Sequence, residues 1–362
     1  VWSTVPRCSE RSTVSPAALP ASGAPSVSLV RREGKHPLSD SEPMTSPWTA
    51  GTAGFLVCAA TLPLVLFVAR RRRLYRAAGP LDIHSRPIPR LGGIGILLGL
   101  LFALAVSPAF LFRKNLALLV ALVVVWLSGL TDDLRRLPPG LRFLPQTLAG
   151  LLLWWAGWQL PVTGSTVLNL LLTSLYVVLL INAFNMLDGA DGLAGGVSAV
   201  IALGFLLWFA ATANSLGAAV AAALLGSCLG FLLYNFPPAK IFMGDSGSYT
   251  LGLLIAFLSL EFYRRQPDPG LHWLVPLLFA ALPILDLLFA ALRRLSKGHS
   301  PFAGDRQHFY DLLLQRGWSP RRIFFVSSIG TAVLVSLGWL LGRQELSALL
   351  LLLGLLALCL RG

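Results

Sequence analysis

Residues 196–234 read GVSAVIALGFLLWFAATANSLGAAVAAALLGSCLGFLLY. Two uncharged apolar runs, 196–211 and 216–234, are separated only by Thr212, Ala213, Asn214 and Ser215. Each run approaches the ~20 apolar residues that a helix needs to cross a bilayer. Inside lipid the backbone must satisfy its own hydrogen bonds, which makes a pair of helices the reading of this stretch. The pattern extends outward in both directions. Comparable runs lie at 48–69, 91–112, 115–130, 143–158, 167–183, 248–263, 271–291, 323–341 and 346–360, giving eleven candidate spans joined by loops rich in Gly, Pro, Arg and Asp. With 55% hydrophobic and 12% charged residues and a mean hydropathy of +0.72, the chain is far too apolar for a soluble domain. The predicted fold is all-α, a polytopic membrane helical bundle.

Residues 1–43 differ, being frequent in Ser, Pro and charge and without helical period. Such a segment cannot bury enough apolar surface to order itself. It also lacks the basic start, apolar core and small-residue cleavage site of a signal peptide. Met44 stands just ahead of the first run, so the expectation is a disordered or non-native extension over 1–43 and a transmembrane domain over 44–362.

Lys and Arg in the loops set the orientation. If the loop after the first run is cytoplasmic, that face collects 19 basic residues against five (Arg113, Lys114, Arg264, Arg265, Arg343) on the other. The start of the first span is then outside and the C-terminus cytoplasmic. Inside-positive loops beside anionic lipid account for most of the net charge of +13, so no nucleic-acid partner is implied. Beyond the extension, Asp82, Asp132, Asp133, Asp188, Asp191, Asp245, Asp286, Asp305 and Asp311 fall on or near the cytoplasmic face, and Glu261, Asp268 and Glu345 fall outside. Every cytoplasmic acid is Asp. Short carboxylates at helix ends suit a hard divalent cation such as Mg²⁺. Arg among Asp, next to lipid, points to phosphate chemistry at the membrane surface.

Four constellations carry that suggestion further. Thr131-Asp132-Asp133 closes the third run. Adjacent carboxylates repel unless a cation or proton lies between them, although such a pair alone reads first as the solvated end of a helix. Residues 182–196, NAFNMLDGADGLAGG, place Asn182, Asn185, Asp188 and Asp191 at spacings of three, on one side of a helix end. Ionisable groups at a membrane edge are functional by default. Residues 235–248, NFPPAKIFMGDSGS, set Asp245 and Ser246 between Gly244 and Gly247 just before a helix, with Lys240 close by. That start can hold phosphate or present a carboxylate to metal. The long connection after the ninth run holds Asp286, Arg293, Arg294 and Asp305-Arg306-Gln307-His308-Phe309-Tyr310-Asp311, and long connections in a protein of tight loops are functional as a rule. His308 alone reads as a surface histidine; beside Asp305 and Arg306 it can grip a diphosphate or nucleotide.

Five blocks now stand in order: His84-Ser-Arg-Pro-Ile-Pro-Arg-Leu-Gly-Gly93, Asp132-Asp133, residues 182–194, residues 238–248, and Pro283-Ile-Leu-Asp286 with residues 305–311. Together, and over nearly everything from Met44 onward, they resemble the polyprenyl-phosphate N-acetylhexosamine-1-phosphate transferase family of the MraY-like superfamily, nearest its WecA-like branch. The resemblance implies transfer of N-acetylhexosamine-1-phosphate, foremost GlcNAc-1-phosphate, from a UDP-sugar to undecaprenyl or another polyprenyl phosphate. UMP is released and a lipid-linked cell-envelope glycan is begun, in a bacterial cytoplasmic membrane with the site facing the cytoplasm. It implies Mg²⁺, with Mn²⁺ as the alternative, held by Asp245 and Asn185. It makes Asp132 and Asp133 the residues that orient the lipid phosphate or accept its proton, and gives Asp188 and Asp191 to the nucleotide loop or its phosphates. Asn182, Lys240, Arg306, His308, Asp286, Arg142 and His84 are the implied substrate-binding residues. The implied partners are the lipid phosphate, the UDP-sugar and the bilayer, with the chain working alone or as a homodimer.

The chain departs from the family pattern in places. The last block is usually His-x-His-His and here reads His308-Phe309-Tyr310-Asp311. Arg142 stands where a Lys is usual, and the two are not interchangeable where geometry is tight. The stretch between Asp82 and His84 is shorter than usual. Arg90-Leu-Gly-Gly, in place of Thr-Met-Gly-Gly, favours an amino-sugar donor over the muramyl-pentapeptide donor of the phospho-MurNAc-pentapeptide transferases. A transporter would carry its charges along a path at mid-membrane, whereas these cluster at one face. The segment 188–194 lacks the following Arg and paired downstream acids of a CDP-alcohol phosphotransferase. Gly92, Gly95 and Gly99 follow no strand, so they are small residues for helix packing rather than a dinucleotide fingerprint. Cys8, Cys58, Cys228 and Cys359 show no paired spacing and imply neither disulfide nor zinc.

Overall fold

The computed structural model describes residues 46–74, 88–110, 115–135, 137–265, 270–300 and 305–345. The extension 1–43, Asp82, His84 and the run at 346–360 lie outside the described residues. Twelve α-helices and no strand occur among the described residues. They are α1 (Pro47–Arg71), α2 (Gly92–Ala105), α3 (Leu116–Arg135), α4 (Pro139–Trp155), α5 (Thr166–Leu187), α6 (Leu193–Ala211), α7 (Ser215–Asn235), α8 (Gly244–Arg264), α9 (Leu274–Phe279), α10 (Ala281–Ser296), α11 (Phe309–Gln315) and α12 (Pro320–Gly342). The pair of runs at 196–211 and 216–234 forms α6 and α7.

By length and composition, six helices among the described residues, α1, α3, α5, α6, α7 and α12, can cross a membrane, and the count is seven if the bent pair α9–α10 is taken as one broken span. The protein is thus an all-α polytopic membrane bundle. The expected eleven spans are not all of this kind: α2, α4 and α8 fill runs 91–112, 143–158 and 248–263 without meeting the same test. The single span expected at 271–291 is corrected, because helix 271–279 and α10 meet at 79°. Pro283 has no N–H to bond the Phe279 carbonyl, so one straight helix could not run through this point without losing that bond and meeting the proline ring. With the chain bent at Ala280, Pro283 becomes the third residue of α10, in a first turn where the missing N–H is no loss.

Small residues set the closest contacts. On α7, Gly226 and Gly230 lie against the α1 backbone at Gly51 and Phe55, and Gly95 and Gly99 of α2 lie against Leu62, Gly54 and Cys58 of α1. This is the packing expected where lipid gives helices no hydrophobic drive to associate. α8 packs against α3, α5 and α2, α4 packs against both α3 and α5, and α12 against α6 and α9. Every residue of α8 from Ser246 to Tyr263 is buried. A helix surrounded by protein can carry Ser246, Ser248, Thr250, Ser259 and Glu261, because each finds a partner inside the bundle.

Candidate active site

The site is built on the first turn of α8. Gly244 there adopts φ +72°, and a Cβ at this position would collide with the Asp133 carboxylate and the Arg90 carbonyl. Only glycine meets both demands cheaply. From the end of α3, Asp133 Oδ1 accepts the Asp245 N–H at 2.8 Å, while Oδ2 accepts the Ser246 N–H at 3.0 Å and the Ser246 hydroxyl at 2.9 Å. The first N–H groups of a helix have no intrahelical acceptor, and a carboxylate placed there also meets the positive end of the helix dipole. Asp133 is therefore a cap delivered by another helix. Its neighbour Asp132 is buried: Oδ1 accepts the Leu137 N–H at 2.7 Å, and Oδ2 lies 2.9 Å from Arg142 Nε and accepts the Tyr249 hydroxyl at 3.4 Å. The Asp245 side chain reaches the Asp132 carboxyl and lies close to Asp133. Carboxyls in such contact need a proton or a cation between them.

α5 supplies the next wall. Asn185 Oδ1 accepts the Ser248 hydroxyl at 3.2 Å, which joins the end of α5 to the start of α8. One turn earlier, Asn182 Nδ2 donates to Gln146 Oε1 at 2.7 Å and to the Val178 carbonyl at 2.8 Å. Gln146 is fully buried, and its Nε2 has no hydrogen-bond partner among the described residues. Asp188 caps α5 at its C-terminal end. Burial holds its carboxyl well above the usual range; Arg90 and the Gly244 amide oppose this, while Asp133 and Asp191 add to it.

Asp191 is buried and accepts the Ala239 N–H at 2.9 Å. Asn235 accepts the Gly192 N–H at 2.9 Å and donates to the Ile241 carbonyl at 2.8 Å. These bonds brace the loop after α7 against the turn after α5. Lys240 stands exposed on that loop. The first block joins the same loop through the bonds Phe242 N–H to Pro89 O (2.9 Å), Gly92 N–H to Phe242 O (2.8 Å) and Gly93 N–H to Met243 O (2.9 Å), and these bring Arg90 to the site.

α10 and α11 add a second cluster. His308 Nδ1 lies 2.7 Å from Asp286 Oδ2, and Asp286 Oδ1 accepts the Phe309 N–H at 3.1 Å, which fixes the imidazole. Asp305 binds Arg293 and Arg294, each at 2.9 Å. Burial works against its charge, yet the hydrogen bonds and charges of Arg294 and Arg293 prevail and bring its pKa down to about 2. Nε and Nη2 of Arg306 are buried without a hydrogen-bond partner among the described residues, which leaves the guanidinium able to take an anion. Tyr310 closes the gap between the clusters by donating to the Met186 carbonyl at 3.0 Å.

Of the residues singled out from sequence, Asp132, Asp133, Asn182, Asn185, Asp188, Asp191, Asp245 and Arg142 converge around the start of α8, and Asp286, Arg306 and His308 sit in the adjoining cluster. Asn235, Ser246 and Ser248 stood in the 235–248 string without a site role of their own, and Tyr249 and Gln146 were missed. The two serines had a signal in the Gly-Asp-Ser-Gly-Ser string; a lone Gln in an apolar run had none. Among the described residues no three His, Cys, Asp or Glu side chains form a ready-made metal cage. One carboxylate with an amide oxygen is instead the sparse all-oxygen set that suits Mg²⁺, which completes its shell with water and substrate phosphates.

A family model described as Glycosyl transferase family 4 matches residues 115–263, which include α3, α5, α7 and the start of α8. The chain is 34% identical over 314 aligned residues to the decaprenyl-phosphate N-acetylglucosaminephosphotransferase of Mycobacterium tuberculosis (strain CDC 1551 / Oshkosh), covering 76% of this chain and 77% of that protein. It is 32% identical over 278 residues to the protein of the same description from Mycolicibacterium smegmatis, covering 67% and 68%. To the undecaprenyl-phosphate alpha-N-acetylglucosaminyl 1-phosphate transferase of Escherichia coli (strain K12) it is 30% identical over 298 residues, covering 75% and 79%.

Proposed function

Because the chain belongs to glycosyl transferase family 4, we propose that it transfers N-acetylglucosamine-1-phosphate from UDP-N-acetylglucosamine to a polyprenyl phosphate, releasing UMP. The observation that carries this reading is the meeting of Asp132, Asp133 and Asp245 at one helix start, with Asn185 tied alongside through Ser248. Such a gathering of carboxylates is costly unless a cation joins them. The relatives act on N-acetylglucosamine phosphate and a polyprenyl phosphate by their descriptions, and both substrates are anions at a membrane surface. The Lys and Arg distribution supports a cytoplasmic site in a bacterial inner membrane.

In the reaction, an oxygen of the lipid phosphate attacks the sugar-bearing phosphorus of the donor, and the bond to UMP breaks with its electron pair leaving on UMP. A lipid phosphate with a second pKa of ~6 is already largely dianionic near neutral pH, so little base catalysis is asked of the protein. Asp245, with the Asn185 carbonyl, would hold Mg²⁺. When bound, the ion supplies charge neutralisation along the diphosphate. Asp132, oriented by Arg142 and Tyr249, faces the acceptor side, and Asp133 keeps the first turn of α8 in place beside it. Asp188, Asp191 and Lys240 line the nucleotide side; Arg306 offers its unpaired Nε and Nη2 to the donor diphosphate, and His308, braced by Asp286, orients the sugar. Asn182 with Gln146 supports Asn185 from one turn below.

Purified protein given polyprenyl phosphate and a panel of UDP-sugars tests the reading. UMP release is expected with UDP-N-acetylglucosamine or a close UDP-N-acetylhexosamine, and not with UDP-MurNAc-pentapeptide. Turnover of the muramyl donor at a comparable rate would overturn the donor assignment.

A further inference from the structure

We infer that Tyr310 is a positioning residue for the donor half of the site: it locks the turn carrying Asp188 to the helix start carrying Arg306 and His308. The inference rests on the transferase reading above. α11 has seven residues and is too short to be stable by itself, so its place depends on what it docks against. Tyr310, its second residue, is buried and donates its hydroxyl to the Met186 carbonyl at 3.0 Å. That carbonyl lies in the last turn of α5, where C=O groups have no intrahelical partner. Tyr310 thus caps the end of α5 from another helix, as Asp133 caps the start of α8.

Two further contacts show that the fit is specific. A Cβ on Gly189, the residue after Asp188, would fall on the Tyr310 hydroxyl and ring. Gly189 is outside the left-handed region, so the space taken by the tyrosine demands glycine there, not the backbone. On its other side the Tyr310 ring lies parallel to His308, with centroids 5.6 Å apart and planes within 6°, and His308 is in turn held by Asp286. The series Asp286, His308, Tyr310, Gly189 therefore runs without a gap from α10 to the turn that presents Asp188. The hydrogen bonds of Asp132, Arg142 and Tyr249 run instead among themselves and to Leu137, on the acceptor side.

The consequence is a split between the two substrates, read from initial rates of UMP release with each varied in turn. Tyr310→Phe keeps the ring and loses the hydrogen bond, and should raise the KM for UDP-N-acetylglucosamine by about 5-fold with a small loss of thermal stability, leaving the KM for polyprenyl phosphate unchanged. Gly189→Ala should cut kcat/KM for the donor by about 10-fold or more, since the new methyl displaces Tyr310 or the Asp188 turn. Removing the obstacle with Tyr310→Ala in the same chain should recover part of that loss, a non-additivity that a merely weakened fold would not produce. A donor KM unchanged in Tyr310→Phe, or equal rises for both substrates together with lost thermal stability, would overturn the assignment. Absence of UMP release by the wild-type protein with every UDP-sugar would instead remove the transferase reading, and this assignment with it.

Discussion

Asp245→Asn is expected to lower UMP release by about 100-fold or more while the protein stays folded, the size of effect that follows from losing several kcal/mol of charge stabilisation in the transition state. The substitution keeps the shape of the side chain and removes one negative charge. If Asp245 merely capped its own helix, Asn would serve equally well. The structure leaves little room for that alternative, because the N–H groups of Asp245 and Ser246 are already served by Asp133 and α8 has no cap from its preceding residue. Relieving repulsion among Asp132, Asp133 and Asp245 should, if anything, ease folding. Glu345→Gln, on an exposed residue after α12, serves as the control and should change little. Release of UMP is to be measured across a Mg²⁺ titration in detergent for both variants. An Asp245→Asn protein that equals wild type at every Mg²⁺ concentration would show that this carboxylate does not hold the ion.

The membrane fold was legible because lipid writes its requirement directly into residue type: a run of apolar residues long enough to span has few other uses. The break between α9 and α10 was also present in the sequence, in Pro283, but an apolar count passes over it. The polar residues of α8 became intelligible only when its position inside the bundle was known, since nothing in a single run tells whether lipid or protein surrounds it. The acids of the site were legible as a group through their spacing and their place beside basic loops. Their division of labour was not. Asp132 and Asp133 look equivalent as neighbours in a chain, yet one pairs with Arg142 and the other caps a helix through an N–H 112 residues later. Bonds of that range, like those joining Asp191 to Ala239 or Tyr310 to Met186, depend on tertiary packing and leave no local pattern. The departure at His308-Phe309-Tyr310-Asp311 was visible as an oddity, and the docking of Tyr310 over Gly189 gives it a physical meaning.

Glu261→Ala should destabilise the protein by about 2–5 kcal/mol, the largest stability loss expected from a single change far from the site. Glu261 lies 16 residues beyond Asp245 on α8, which places it roughly 24 Å away along the helix axis. It is fully buried, and its carboxylate accepts Trp158 Nε1–H at 2.7 Å, Asn214 Nδ2–H at 2.8 Å and two bonds from Arg264 at 2.7 and 2.8 Å. Arg265 adds a longer contact at 3.3 Å. Through these bonds one side chain ties α8 to the segment after α4 and to the link between α6 and α7. Truncation leaves the buried donors of Trp158 and Asn214 without acceptors, whereas the partly exposed arginines can turn to water. Arg265→Ala, removing an exposed partner, should therefore cost about 1 kcal/mol or less. Glu261→Gln should fall between the two, because either orientation of its amide sets an NH₂ group against a donor that the carboxylate accepted. Unfolding in mixed detergent micelles measures all three, and the Mg²⁺ dependence of the surviving activity should match wild type. A Glu261→Ala protein as stable as wild type would mean that the network at this end of α8 does not hold the bundle together. An altered Mg²⁺ dependence would mean that the two ends of α8 are coupled and that Glu261 is not a purely structural acid.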